Sequence, residues 1–194
     1  MARRMCVFCG SNSGGRPSYA NAARSLARIL VANGIAIVYG GGKVGLMGAL
    51  ADAALEAGGE VIGVIPQSLV EKEVSHRGLT ELRVVGSMHE RKAQMAGLSD
   101  AFIALPGGFG TFEEFCEVLT WTQLGLQRKP CGILNVDGYY DQLLSFFDHA
   151  EKEQFLKPVH RRIVLSDSRP ETLVTRLLEH EPPLEDKWID LRQA

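Results

Sequence analysis

Residues 101–114 read Ala-Phe-Ile-Ala-Leu-Pro-Gly-Gly-Phe-Gly-Thr-Phe-Glu-Glu. An apolar run of strand length passes through a glycine loop straight into an amphipathic stretch. A strand that hands over to a helix so abruptly belongs to a βα unit. The chain makes the same passage at Ile35–Tyr39, Gly40-Gly-Gly-Lys-Val-Gly45, and then Leu46, Leu50, Ala54 and Ala57 at helical spacing before Gly58-Gly59. Three glycines between Gly107 and Gly110 let backbone N–H groups approach a bound anion without obstruction by a Cβ. The helix start behind them adds free donors and a positive dipole end. A phosphate site is therefore expected there on physical grounds.

The rest of the chain continues the alternation. Met5–Cys9 is a short apolar strand, and Gly10–Pro17 a loop. Ala20, Ala23, Leu26, Ala27 and Leu30 then mark a helix that Gly34 stops. Further strands are expected at Val61–Ile65, Leu82–Val85, Ala101–Leu105 and Cys131–Asn135, with an edge strand at Ile163–Leu165. Helices are expected at Ser87–Leu98, Tyr139–Glu151 and Pro170–His180, and residues 67–80 read as a loop or short helix. Repeated βα units with apolar strands imply a doubly wound, mostly parallel α/β sheet with helices on both faces, Rossmann-like in character. Ligands of such a sheet sit outside the carboxyl ends of its strands, where both glycine loops fall. The expected organisation is one nucleotide-binding domain over residues 1–181 and a polar tail over 182–194.

Composition excludes several classes. A net charge of −2 over 194 residues gives no electrostatic basis for binding nucleic acid or a membrane surface. No apolar run reaches transmembrane length. The first residues lead into a strand and lack a secretory apolar region, so a cytoplasmic location is expected. Cys6 and Cys9 form a C-x-x-C within a strand, where residues three apart face opposite sides, and no second pair completes a zinc site. Neither a metal nor a cofactor is expected.

Gly40, Gly42 and Gly45 satisfy G-x-G-x-x-G between a strand and a helix. The strand that follows ends Val64-Ile65-Pro66-Gln67, without the acid that would hold a dinucleotide ribose. The loop reads as a phosphate or nucleotide contact, and an NAD-dependent oxidoreductase is disfavoured. No G-K-[ST] occurs, which argues against triphosphate hydrolysis.

Two readings of Glu114 stand side by side. Thr111-Phe-Glu-Glu114 has the form of a capping box, with Thr111 as N-cap. Alternatively, a carboxylate beside an anion site serves chemistry. The motif Met88-His-Glu-Arg-Lys-Ala-Gln-Met95 bears on the choice. Ser87 and Glu90 form a second capping box. Arg91 and Lys92 share a helix face with Met88 and Met95. If the methionines face inward, both cations point into a crevice and want an anion there. The alternative is two solvated side chains snorkelling past the methionines.

Met88-x-x-Arg91-Lys92 followed by Pro106-Gly-Gly-x-Gly-Thr-x-x-Glu114 resembles the signature of the LONELY GUY (LOG) family. Its members are cytokinin riboside 5′-monophosphate phosphoribohydrolases, and bacterial members are close to AMP nucleosidases. The resemblance takes in Cys9-Gly-Ser11, Gly40-Gly-Gly-x-x-Gly-Leu-Met-Gly48, Thr120-Trp-x-Gln-Leu-Gly125 and Leu134-Asn-Val-Asp-Gly-Tyr-Tyr140. Ser87 stands where many relatives carry Asp. Members were once labelled lysine decarboxylases, but nothing here suggests a pyridoxal-phosphate site.

The resemblance implies hydrolysis of the N-glycosidic bond of a nucleoside 5′-monophosphate, giving free base and ribose 5-phosphate. Glu114 is then expected to stabilise the oxocarbenium-like transition state and orient water. Arg91 would act by electrostatics, because a guanidinium does not readily give up a proton. Gly108, Phe109, Gly110 and Thr111 would cradle the phosphate, with Gly41, Gly42 and Gly45 sharing that work. Ser11, Glu73, Lys92, Gly107, Phe112, Glu113 and Thr120 complete the implied nucleotide site. The family also implies a homodimer, to which Phe112, Phe115, Leu119 and Trp121 could contribute. The rival reading is a nucleotide- or molybdenum-cofactor-binding carrier without turnover.

Overall fold

A computed structural model describes residues 3–70 and 75–182. The elements run in strict alternation at first: β1 (Arg4–Phe8), α1 (Pro17–Ala32), β2 (Ala36–Tyr39), α2 (Gly45–Glu56), β3 (Val61–Pro66) and the single turn α3 (Gln67–Val70). Next come β4 (Glu81–Val85), α4 (Met88–Leu98), β5 (Ala101–Ala104) and α5 (Phe109–Gln123). The chain closes with β6 (Cys131–Leu134), a 3₁₀ turn (Val136–Gly138), α6 (Asp141–Lys152), α7 (Pro158–Arg161), β7 (Val164–Asp167) and α8 (Pro170–Glu179). The helix expected from Tyr139 thus starts at Asp141, behind a turn in which Asp137 takes a positive φ of 50°. The short α7 carries too little periodicity to be read from sequence.

All seven strands pair in parallel in the order β4-β3-β2-β1-β5-β6-β7. Strand alternation divides the apolar side chains between two layers. Met5, Val7 and Cys9 face one layer with Ile37, Tyr39, Ile103 and Leu105, under Leu26, Leu50 and Leu173 of α1, α2 and α8. Cys6 and Phe8 face the other with Val38, Ile62, Val64 and Phe102, against Met95 of α4 and Phe115 and Val118 of α5. Phe112, Leu119 and Trp121 pack on this second layer. Phe115 is buried and the other three are half-buried, so the core accounts for part of the α5 face that the sequence left open to a dimer contact.

The order reverses at β1. Crossovers from β1 lead one way to β2, β3 and β4, and β5 starts the opposite wing. The carboxyl ends of β1 and β5 are the switch point, where loops diverge and leave a crevice. Their loops touch directly, the Gly10 N–H donating to the Pro106 carbonyl at 3.0 Å.

Candidate active site

A cavity of about 460 Å³ opens at this switch point, a volume typical of small-ligand sites. The β1 loop from Cys9 to Gly14, the β5 loop from Pro106 to Gly108 and the start of α5 line it. Arg91, Glu114, Met47, Tyr19 and Tyr139 complete its wall.

The start of α5 differs from the sequence expectation. The helix begins at Phe109 with Gly108 as N-cap, and no side chain caps it. Thr111 is not the N-cap, and Glu114 lies beyond the first turn, out of capping position. The chain enters helical geometry two residues before the threonine, at Phe109. The N–H groups of Phe109, Gly110 and Thr111 have no acceptor within the helix, and all three residues line the cavity. Gly107 is needed because the Thr111 side chain packs where its Cβ would stand.

Released from capping, Glu114 turns inward. Its Oε1 accepts from Arg91 Nη1 at 2.8 Å, and both side chains are buried, at 9 and 8 % exposure. Arg91 Nε donates to the Val64 carbonyl at 3.1 Å. The guanidinium lies against Gly40, where a Cβ would collide with Nη2. A buried pair of this kind is held by the fold rather than being its main support, since desolvation consumes much of the attraction.

Ser87 and Glu90 cap α4 as expected in outline. Ser87 Oγ accepts from the Glu90 N–H at 3.1 Å, while the Glu90 carboxylate reaches Gly86 N at 2.8 Å. The two methionines part company: Met95 is buried and Met88 exposed. The cations part as well. Arg91 enters the cavity wall, whereas Lys92 Nζ bonds Glu113 at 2.5 Å and Glu117 at 3.1 Å on α5. Burial pulls Lys92 down, but these two bonds outweigh it and leave its pKa above the ordinary lysine range.

The second glycine loop leads into a helix whose start is tied to the β1 loop. At the start of α2 the N–H groups of Leu46 and Met47 donate to the Gly10 carbonyl. That helix start is committed to the β1 loop. Gly45, at φ +64°, lets the Ser11–Asn12 backbone pack where a side chain would stand. Of the residues implied for the nucleotide site, Ser11, Arg91, Gly107, Gly108, Phe109, Gly110, Thr111 and Glu114 line the cavity. Gly41, Gly42, Gly45, Lys92, Phe112 and Glu113 are not among the lining residues. Thr120 donates to the Cys116 carbonyl and lines a separate apolar cavity of about 250 Å³. Glu73 falls outside the described residues.

Sequence reasoning missed Tyr19, Tyr139 and Asn12, which also line the cavity. Tyr139 Oη donates to the Gly107 carbonyl, and Tyr140 Oη to that of Leu105 at 2.7 Å. These bonds fix the peptide before the open helix start. Position was a signal for Asn12, since Gly10–Pro17 follows the first strand as a switch-point loop does, and Tyr139 lay within the Leu134–Tyr140 stretch of the resemblance. Among the described residues no group of His, Cys, Asp or Glu side chains is placed to share a metal ion, and no helix is long and apolar enough to cross a membrane.

The family model described as "Possible lysine decarboxylase" matches residues 47–177. The chain is 56% identical over 180 residues to "Probable cytokinin riboside 5'-monophosphate phosphoribohydrolase LOGL9" of Oryza sativa subsp. japonica, covering 93% of this chain and 79% of the relative. It is 52% identical over 184 residues to the cytokinin riboside 5'-monophosphate phosphoribohydrolase LOG7 of Arabidopsis thaliana, covering 95% and 85%. Among solved structures, the molybdenum cofactor binding protein of the phototrophic bacterium Rippkaea orientalis superposes with a TM-score of 0.70 at 23% identity, covering 92% of this chain and 97% of that one. At such an identity the likeness shows the fold alone.

Proposed function

We propose, from the premise that this chain belongs to the LONELY GUY (LOG) family, that it hydrolyses the N-glycosidic bond of a cytokinin riboside 5′-monophosphate. The products are the free base and ribose 5-phosphate. The observation that carries the reading is the buried Arg91–Glu114 pair beside the uncapped start of α5. A carrier needs an anion cradle but has little use for a carboxylate next to the sugar. The decarboxylase wording of the family model fits less well. That chemistry runs through a lysine Schiff base, and no lysine among the described residues lines the cavity.

In this reading the phosphate sits on the N–H groups at Phe109–Thr111. The bond from C1′ to the base nitrogen breaks, and its electron pair leaves with the base. Positive charge grows at C1′, and the Glu114 carboxylate stabilises it. Water adds to C1′ and gives up one proton as it does so, and the departing base gains one. Arg91 holds Glu114 in place and donates hydrogen bonds to the reacting groups. AMP, whose adenine carries no prenyl group, is the natural second substrate, making the enzyme AMP-nucleosidase-like as well.

The test is chromatographic product analysis with isopentenyladenosine monophosphate and, separately, AMP. Release of free base by wild type and not by Glu114→Gln is the expected result. Substrate binding without base release would favour the carrier. Equal turnover of a nucleoside lacking phosphate would remove the cradle from the mechanism.

A homodimer belongs to the same proposal. Helix α6 buries none of its residues although it carries Phe146 and Phe147, and Phe146 and Phe155 stand 62 and 85 % exposed. Apolar surface of this kind favours a partner. Sedimentation should give twice the chain mass, and a monomer at micromolar concentration would contradict the proposal. Four unpaired cysteines suit a reducing, cytoplasmic setting.

A further inference from the structure

The seat of Arg91 is backed by residues that do not line the cavity. The guanidinium rests on Gly40, and the turn Gly40–Gly42 is held from outside by a second strand of chain. The His76 N–H donates to the Gly41 carbonyl at 3.0 Å, and Ser75 bridges to Gly42. Tyr39 Oη donates to the Gly42 carbonyl at 3.1 Å from within the core. His76 itself is buried, with Nε2 at 2.8 Å from Asp52 Oδ1 on α2. Its Nδ1 faces the Gly78 N–H at 3.0 Å. A backbone N–H can only donate, so Nδ1 accepts and the ring proton sits on Nε2, pointing at Asp52. The imidazole is thus clamped at both nitrogens in one tautomer, and its backbone N–H is aimed at Gly41.

We propose that His76, oriented by Asp52, is a positioning residue for Arg91, acting through the Gly40–Gly42 turn. The inference rests on the reading above that Arg91 and Glu114 act together in catalysis. The clamp asks of Asp52 only an acceptor, because the imidazole it meets is neutral. An uncharged acceptor of the same shape therefore serves. The phosphate cradle is on α5 and does not share this turn, so loss of the clamp moves the reacting groups and spares anchoring.

The expected kinetic result is a fall in kcat of about tenfold to a hundredfold for Asp52→Ala, with KM within about twofold. Asp52→Asn should stay within about twofold of wild type in both constants. Equal damage from Asn and Ala would overturn the proposal, and so would an Ala variant with unchanged kcat or one that loses only KM. A second readout needs no turnover. The Arg91 Nε–H, bonded to the Val64 carbonyl in the wall, should exchange slowly with solvent by NMR. Asp52→Ala should speed that exchange at least about tenfold and Asp52→Asn should not. Unchanged Arg91 exchange in Asp52→Ala overturns the clamp. Slow exchange in a wild-type protein that releases no base would instead refute the hydrolase reading and leave the clamp standing.

Discussion

Glycine stands at position 40 because of a side chain on a distant helix. A Cβ there would meet the Arg91 Nη2 atom, the far end of a flexible side chain, and not backbone. Gly40→Ala should therefore fold and displace the guanidinium instead. The expected outcome is a kcat loss of about tenfold or more, with a lowered thermal midpoint because the displaced guanidinium is pushed from its buried bond to Glu114. A fully active Gly40→Ala enzyme would show that the seat is dispensable. Glu114 carries the opposite risk. Replacing it by Gln removes the countercharge of a buried guanidinium, so a stability loss of up to about 3 kcal/mol should accompany the lost turnover. Urea titration of the variant separates the two effects. The pairing of Glu114 with Arg91 was half legible in the sequence. Both residues stood out, but the capping box supplied an equally good local account of Glu114. The choice fell to where α5 starts, and there the missing Cβ of Gly107 makes room for the Thr111 side chain.

At the scale of elements, α4 and α5 are laced by charge. Arg91 and Lys92 on one helix reach Glu114, Glu113 and Glu117 on the other. Lys92 is nearly buried against its partners, whose bonds raise its pKa over the opposing effect of burial. A raised folded-state pKa means stabilisation that is complete below the unfolded lysine value, about 10.4, and fades as the pH climbs through the higher folded value. Lys92→Met should therefore lower the thermal midpoint by a constant amount from neutral to mildly alkaline pH. The difference from wild type should shrink only in strongly alkaline solution. A difference that vanished near neutrality would place the effect elsewhere. The sequence placed both cations on one helical face, and neighbouring residues on a helix are 100° apart. That angle suffices for Arg91 to face the crevice and Lys92 to face α5.

At the scale of the molecule, the parallel sheet separates two apolar layers and shields what lies between. Burial pushes the Cys131 thiol up to about 12, and raises those of Cys6 and Cys9 as well. Cys116 is half-buried, and burial together with nearby Glu113 raises its thiol more modestly. A thiol reagent at neutral pH should label Cys116 alone in the native protein, slowly, and all four cysteines after denaturation. Mass spectrometry of labelled peptides checks this. Rapid labelling of Cys9 would mean that the β1 loop opens to solvent. The C-x-x-C of Cys6 and Cys9 is split between the layers, one thiol on each side of the sheet. Strand periodicity alone predicted that division.

What the sequence by itself determined is the part governed by local physics. Short apolar runs between amphipathic stretches could form only buried parallel strands with helices on both faces. Glycines after Leu105 marked a loop that hands over to a helix, beside a possible capping box at Thr111 and Glu114. Motif resemblance pointed to the family and to Arg91 and Glu114. Only the tertiary structure decided which helix start remains open. The G-x-G-x-x-G loop looked as ready for a phosphate as the loop after β5. The Gly10 carbonyl takes the Leu46 and Met47 N–H groups of the helix behind it, a contact set by where β1 lies between β2 and β5. The same placement brought Tyr19 and Tyr139 to the cavity and locked His76 behind the seat of Arg91. Tyr19 and His76 carry no local signal, because what they do depends on neighbours distant in the chain.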